Sequence, residues 1–115
     1  MMEKLTFYIP GTLTANHVAE IAADRDWKIV HVSAVASNDS DATLYLGNDA
    51  DDDAYMVATA IGDSDVPNEF DRDDFVGDQY PTHEKADVFV LTLDYDGDGG
   101  TAAQNVVIVV TLDSY

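Results

Sequence analysis

Asp94-Tyr95-Asp96-Gly97-Asp98-Gly99 opens like a calcium loop. Carboxylates at alternate positions of a tight turn, here Asp94, Asp96 and Asp98, can converge on a hard cation that seeks about six to eight oxygen ligands. The match then lapses. The twelfth position, where a bidentate Glu belongs, is Asn105, and the flanks read as strands rather than helices. Gly97-Asp98-Gly99-Gly100 is equally a long hairpin turn. A calcium site formed by these three acids is therefore an incomplete one, and the sequence calls for no cofactor.

Other chemistry-bearing residues are more isolated. Gly62-Asp63-Ser64 resembles the nucleophile block of GDSL hydrolases, but the distant Asp-x-x-His that such a serine needs is missing. His17, His31 and His83 lack ligand spacing, and without cysteine no mixed metal set supports them. They read as surface or packed histidines. Asp71 to Asp74 with Arg72 among them reads as a solvated turn with a local ion pair of little energy. Asn38-Asp39-Ser40 has the form of a glycosylation sequon. No nucleophile–base pair or phosphate loop is visible, and the expectation is that the chain is not an enzyme.

The dominant feature is charge. The 115 residues carry 23 acids against 5 Lys and Arg, a net charge of −18. The acids cluster in loops and leave the apolar runs intact. Hydrophobic residues make up 46% of the chain, too many for a disordered acidic tail. A uniformly negative surface repels phosphate backbones and anionic lipid, so neither nucleic acid nor membrane is an expected partner. It also opposes self-association at low salt, which fits a saline habitat. With no cysteine, packing alone must hold the fold. No apolar stretch approaches the ~18 residues of a membrane span, and the opening residues do not read as a signal peptide.

The elements that must position these residues read as strands. Residues 5–9, 42–46, 88–95 and 106–113 alternate, and 27–35 is rich in β-branched residues. Residues 12–21 are ambiguous between strand and loop, and 70–76 read as a short strand. Residues 50–61 predict a short helix: Asp51, Asp52 and Asp53 suit a first turn, Ala54, Val57 and Ile61 share a face, and Gly62 is a stop. The fold expected is a single all-β domain over residues 1–115, an antiparallel β-sandwich of jelly-roll type with that one helix inserted. The last two strands are apolar on both faces. Val88 and Val90 on one, and Val107 and Val109 on the other, lie opposite the core side, so something must cover them. A neighbouring subunit would make these four valines an oligomer interface; a second sheet or the helix would cover them within one chain.

Several phrases together carry a resemblance. Phe7-Tyr8-Ile9-Pro10-Gly11-Thr12-Leu13, the run from Ala36 to Leu44, Asp52-Asp53-Ala54-Tyr55, the run from Phe70 to Val76 and Leu93-Asp94-Tyr95-Asp96-Gly97 are similar to small proteins encoded in the head-gene region of tailed bacteriophages and archaeal viruses. The resemblance implies a virion structural protein: a head decoration protein with a β-sandwich fold. Such a protein would be made in the host cytoplasm and would sit on the capsid surface as a homo-oligomer, often a trimer, against the major capsid protein. The family offers no catalytic residues to carry over. A second reading from another class is a β-sandwich binding module for calcium or glycans, with Tyr45, Tyr55, Tyr80 and Tyr95 as the aromatic candidates.

Overall fold

The computed structural model describes residues 2–114. Nine antiparallel strands form two sheets: β1 Met2–Thr12, β2 His17–Ala22, β3 Trp27–Val35, β4 Thr43–Asn48, β5 Met56–Ala60, β6 Asn68–Phe70, β7 Thr82–His83, β8 Val88–Asp94 and β9 Gln104–Ser114. One sheet has the order β1-β9-β3-β6, with the two-residue β7 added beside β3; the other has the order β2-β8-β4-β5. Successive strands cross between sheets except at the β4–β5 hairpin and between β6 and β7, which both pair with β3. That order is the double Greek key of a jelly roll.

Alternation explains which residues meet. Phe89, Leu91 and Leu93 of β8 and Val106, Ile108 and Val110 of β9 all join the core. Side chains of a strand alternate between faces, so Val88, Val90, Val107 and Val109 point outward. Each sheet thus covers the inner face of the other, β8 in one and β9 in the other, and leaves their outer faces.

The expected helix does not form. Residues 49–55 are turn, and Met56–Ala60 pairs antiparallel with β4 through Thr43↔Ala60, Leu44↔Thr59 and Leu46↔Met56. Asn48 decides the start: its Oδ1 accepts from the amides of Ala50 and Asp51 at 3.0 and 2.9 Å, turning the chain where a helix would run on. An isolated helix of this length is marginal. A β-branched Val57 and Thr59 beside an open sheet edge gain more as a strand. Met56 is buried and Val57 is left exposed, the reverse of the helical face.

Residues 70–76 also differ from expectation. Only Asn68–Phe70 pairs with β3, after which two short 3₁₀ turns span Arg72–Asp74 and Val76–Asp78. The reason is reciprocal capping: Asp71 Oδ1 accepts from Asp73 N and Asp74 Oδ2 from Asp71 N. These acids cap backbone amides, and Arg72 has no ion pair among the described residues. The ambiguous stretch 12–21 resolves into β2, whose partner β8 lies more than sixty residues away.

Residues 37–41 tie one end of the sandwich together. Asn38 Nδ2 donates to Ala102 O, and Gln104 N donates to Asn38 Oδ1, each at 2.9 Å. Thr101 N donates to Asp41 Oδ2 at 2.7 Å, and Ser64 Oγ to Asp39 Oδ1 at 2.6 Å. Asn38→Ala removes two part-buried bonds and strands their backbone partners. It should cost about 1–3 kcal/mol, read as a melting temperature lowered by roughly 5–15 °C. An unchanged melt would show that water replaces both bonds.

Candidate binding surfaces

The outer face of the β2-β8-β4-β5 sheet is a cleft. Register places Val18, Thr92 and Tyr45 in one row and Glu20, Val90 and Gly47 in the next. After β4 the chain turns back over this face. A Cβ at Gly47 would overlap the backbone of Asp51 and Asp52, so only glycine lets the 49–53 segment lie so close to the sheet. That segment is the wall of a cleft of about 330 Å³, lined also by Asn16, Asn48, Asp49 and Asp52. It faces Val90, which is only 6% exposed although it lies outside the core cluster. The cover for Val90 therefore comes from the same chain.

Electrostatics in the cleft are one-sided. Burial raises the Tyr45 phenol above its ordinary pKa, the charges of Asp52 and Asp94 add to the effect, and a hydrogen bond with Thr92 opposes it. Among the described residues, no basic side chain lines the cleft.

The opposite outer face, on the β1-β9-β3-β6 sheet, differs in charge. Its rows are Met2, Asp113 and Lys28; Lys4, Thr111 and His31; Thr6, Val109, Ser33 and Glu69; and Tyr8, Val107 and Val35. Two acids, Glu69 and Asp113, stand here against two bases, Lys4 and Lys28, in a chain of net charge −18. His31 Nε2 lies 3.4 Å from Glu69 Oε1, and Lys28 Nζ sits 5.8 Å from the centroid of the Tyr80 ring. Met2 and Tyr8 are 64% and 60% exposed.

The four valines expected to form one interface are thus divided. Val88 and Val90 belong to the acidic cleft face, and Val107 and Val109 to the charge-balanced face, because β8 and β9 lie in different sheets. The Asp94, Asp96 and Asp98 loop is equally informative. Asp94 Oδ1 accepts from Asp96 N and Gly97 N at 3.4 and 3.1 Å, and Asp96 Oδ1 from Asp98 N at 3.1 Å. Those carboxylate oxygens brace their own turn. Among the described residues, the acids whose oxygens gather within 4.8 Å are Asp51, Asp52 and Asp53, all exposed.

The remaining candidates are placed separately. The Ser64 hydroxyl is taken by Asp39, and both Ser64 and Asp65 have positive φ, as a tight turn requires. His83 is buried: its Nε2 donates to Asp87 O at 2.8 Å and its Nδ1 accepts from the Tyr55 hydroxyl at 2.7 Å. His17 and His31 lie on different sheets. Tyr55 stacks on Phe89, and the charge of Asp96 raises the Tyr95 phenol. Of the four tyrosines, Tyr45 is the one that lines this cleft. Its companions Asn16, Glu20, Asn48 and Asp49 come from two stretches far apart in sequence, and the one local signal for them was a glycine at a strand end.

No helix among the described residues is long and apolar enough to cross a membrane. No protein-family model matches the chain, and no curated protein matches its sequence. A chain of the cyanophage Pam1 capsid asymmetric unit superposes on it with a TM-score of 0.56 at 13% identity, over 97% of this chain and 82% of that one. At that identity the likeness is one of fold: nearly the whole of this jelly roll is shared with a chain of a viral capsid structure.

Proposed function

We propose that this chain is a virion structural protein: a head decoration protein that sits on the outer capsid surface and stabilises it. The observation that carries the reading is the near full-length match of fold to a chain from a capsid asymmetric unit. Charge supports the position. An acidic shell suits the outside of a particle and suits its nucleic-acid-filled interior badly. The major capsid protein is the partner beneath, and the protein reaches the particle after synthesis in the host cytoplasm.

Decoration also implies copies in contact, as a trimer in the family it resembles. Two bodies of −18 can touch only where the charge is low. The face built from Tyr8, Thr6, Val107, Val109, Ser33 and Val35 meets that condition. β1, β9 and β3 run 11, 11 and 9 residues, so this face is broad enough to contribute to a specific contact, which buries ~1,000 Å² or more in total. We therefore move the proposed contact to Val107 and Val109 and away from Val88 and Val90.

Two measurements test this reading. Particles purified from a culture carrying the gene should contain the protein in mass spectra, and antibody should label unbroken particles. Absence from purified particles sinks the virion role. Separately, Val107→Asp with Val109→Asp should leave only monomer by sedimentation in molar salt while the fold persists. An unmutated chain that is monomeric there removes the contact.

A further inference from the structure

We propose that the cleft over Tyr45 on the β2-β8-β4-β5 sheet is a binding site for a neutral sugar ring. The inference stands on the isolated chain and does not rest on the virion reading.

The first argument is shape. The cleft holds about 330 Å³, at the small end of the ~300–1,000 Å³ typical of small-molecule sites. Apolar surface on its sheet side comes from the exposed Val18 and the Tyr45 ring, with Thr92 between them in the row. The C–H face of a pyranose needs such a surface, and an aromatic ring supplies it with little entropy cost.

The second argument is the hydrogen-bond inventory. Asn16 Oδ1 accepts from Tyr95 N at 3.2 Å, and Asn48 Oδ1 accepts from Ala50 N and Asp51 N. Each carboxamide is therefore anchored through its oxygen, and its Nδ2 donors have no partner among the described residues. The carboxylates of Glu20, Asp49 and Asp52 supply only acceptors. A ligand that satisfies both sets must donate and accept at neighbouring atoms, as the vicinal hydroxyls of a sugar do. An ammonium or guanidinium group would serve the carboxylates and leave both amides unpaired. Because the amides are held by backbone bonds, little ordering is left for the ligand to drive.

The test is a titration of ¹⁵N-labelled protein in molar salt, where non-specific attraction to the acidic surface is screened. The neutral probes are maltotetraose, cellotetraose and methyl α-mannoside; the cationic probes are spermine and N-acetylarginine amide. At least one neutral probe should give saturable amide shifts at residues 16–20, 45–52 and 90–92, with a Kd on the order of 1 mM for so small a site. Tyr45→Ala should abolish the shifts, and Tyr45→Phe should keep them within about threefold, since the ring survives. Asn48→Asp keeps the turn-bracing oxygen, removes the donor, and should weaken binding about tenfold. Should Tyr45→Ala fail to fold, Val18→Glu reads the same apolar surface from an exposed position. No saturable shift with any neutral probe up to ~50 mM overturns the proposal. So do shifts at the cleft from the cationic probes alone.

Discussion

In sodium chloride at ~0.1 M the protein is expected to melt well below its melting temperature at ~1 M, because the Debye length falls from about 10 Å to 3 Å over that range. The charges responsible are 23 acids offset by Lys4, Arg25, Lys28, Arg72 and Lys85. Arg25 is already committed, at 2.7 Å to Glu3 and 3.0 Å to Asp24. It holds the Asp24 carboxyl below its ordinary pKa mainly through that hydrogen bond. Spreading −18 over a body with a radius of gyration of 13.4 Å, and over the larger unfolded coil, gives a repulsion difference that falls by on the order of 5 kcal/mol between the two salt levels. For a domain of this size that is roughly 15–25 °C in melting temperature.

Sulfate at equal ionic strength separates the causes. Equal gains mean screening, and a much larger sulfate gain means burial of apolar surface. A melting temperature that stays flat or falls in sodium chloride would show that the charge is merely tolerated, and would end the case for a saline habitat. Acid should act in the same sense at Asp53. A hydrogen bond and the charge of Asp51 hold its carboxyl above the ordinary value. A folded pKa above the unfolded one contributes stability below the unfolded value, and that contribution is lost as pH rises through the folded one.

Gly47→Ala is expected to be the most damaging single methyl group on the cleft face. The added carbon would overlap the backbone of Asp51 and Asp52, and neither is the end of a flexible side chain. Either β4 shifts, taking Leu44 and Leu46 out of the core, or the 49–53 segment lifts off the sheet. Overpacking against backbone costs about 2–3 kcal/mol, or roughly 10–15 °C in melting temperature for a domain of this size. The two responses are distinguishable. If the segment lifts, Val90 and Tyr45 gain solvent, and the Tyr45 phenol should titrate closer to its ordinary value by absorbance. If β4 shifts, cooperativity of the melt suffers and the phenol stays high. A variant as stable as the parent would show that the segment does not rest on Gly47 in solution.

Much of this molecule was legible in its residues, for a local reason. Alternation is a property of consecutive side chains, so 5–9, 42–46, 88–95 and 106–113 announced strands. Turn acids and glycines marked the ends, and the jelly-roll class followed from their number and spacing. What lay beyond reach was every choice settled by distant partners. Residues 50–61 carry a helical face and a strand-forming edge at once, and β4 decided between them by offering open hydrogen bonds. The valines of β8 and β9 looked like one surface because the two strands are similar in pattern. Only the strand order puts them on opposite outsides, one roofed by the loop after Gly47 and one bare. Charge behaves likewise. The sum of −18 is written in the sequence, but the near-neutral face exists only because antiparallel register lines up Lys4, Thr6 and Tyr8 with Thr111, Val109 and Val107. Composition adds charges regardless of place, whereas binding depends on where pairing puts them.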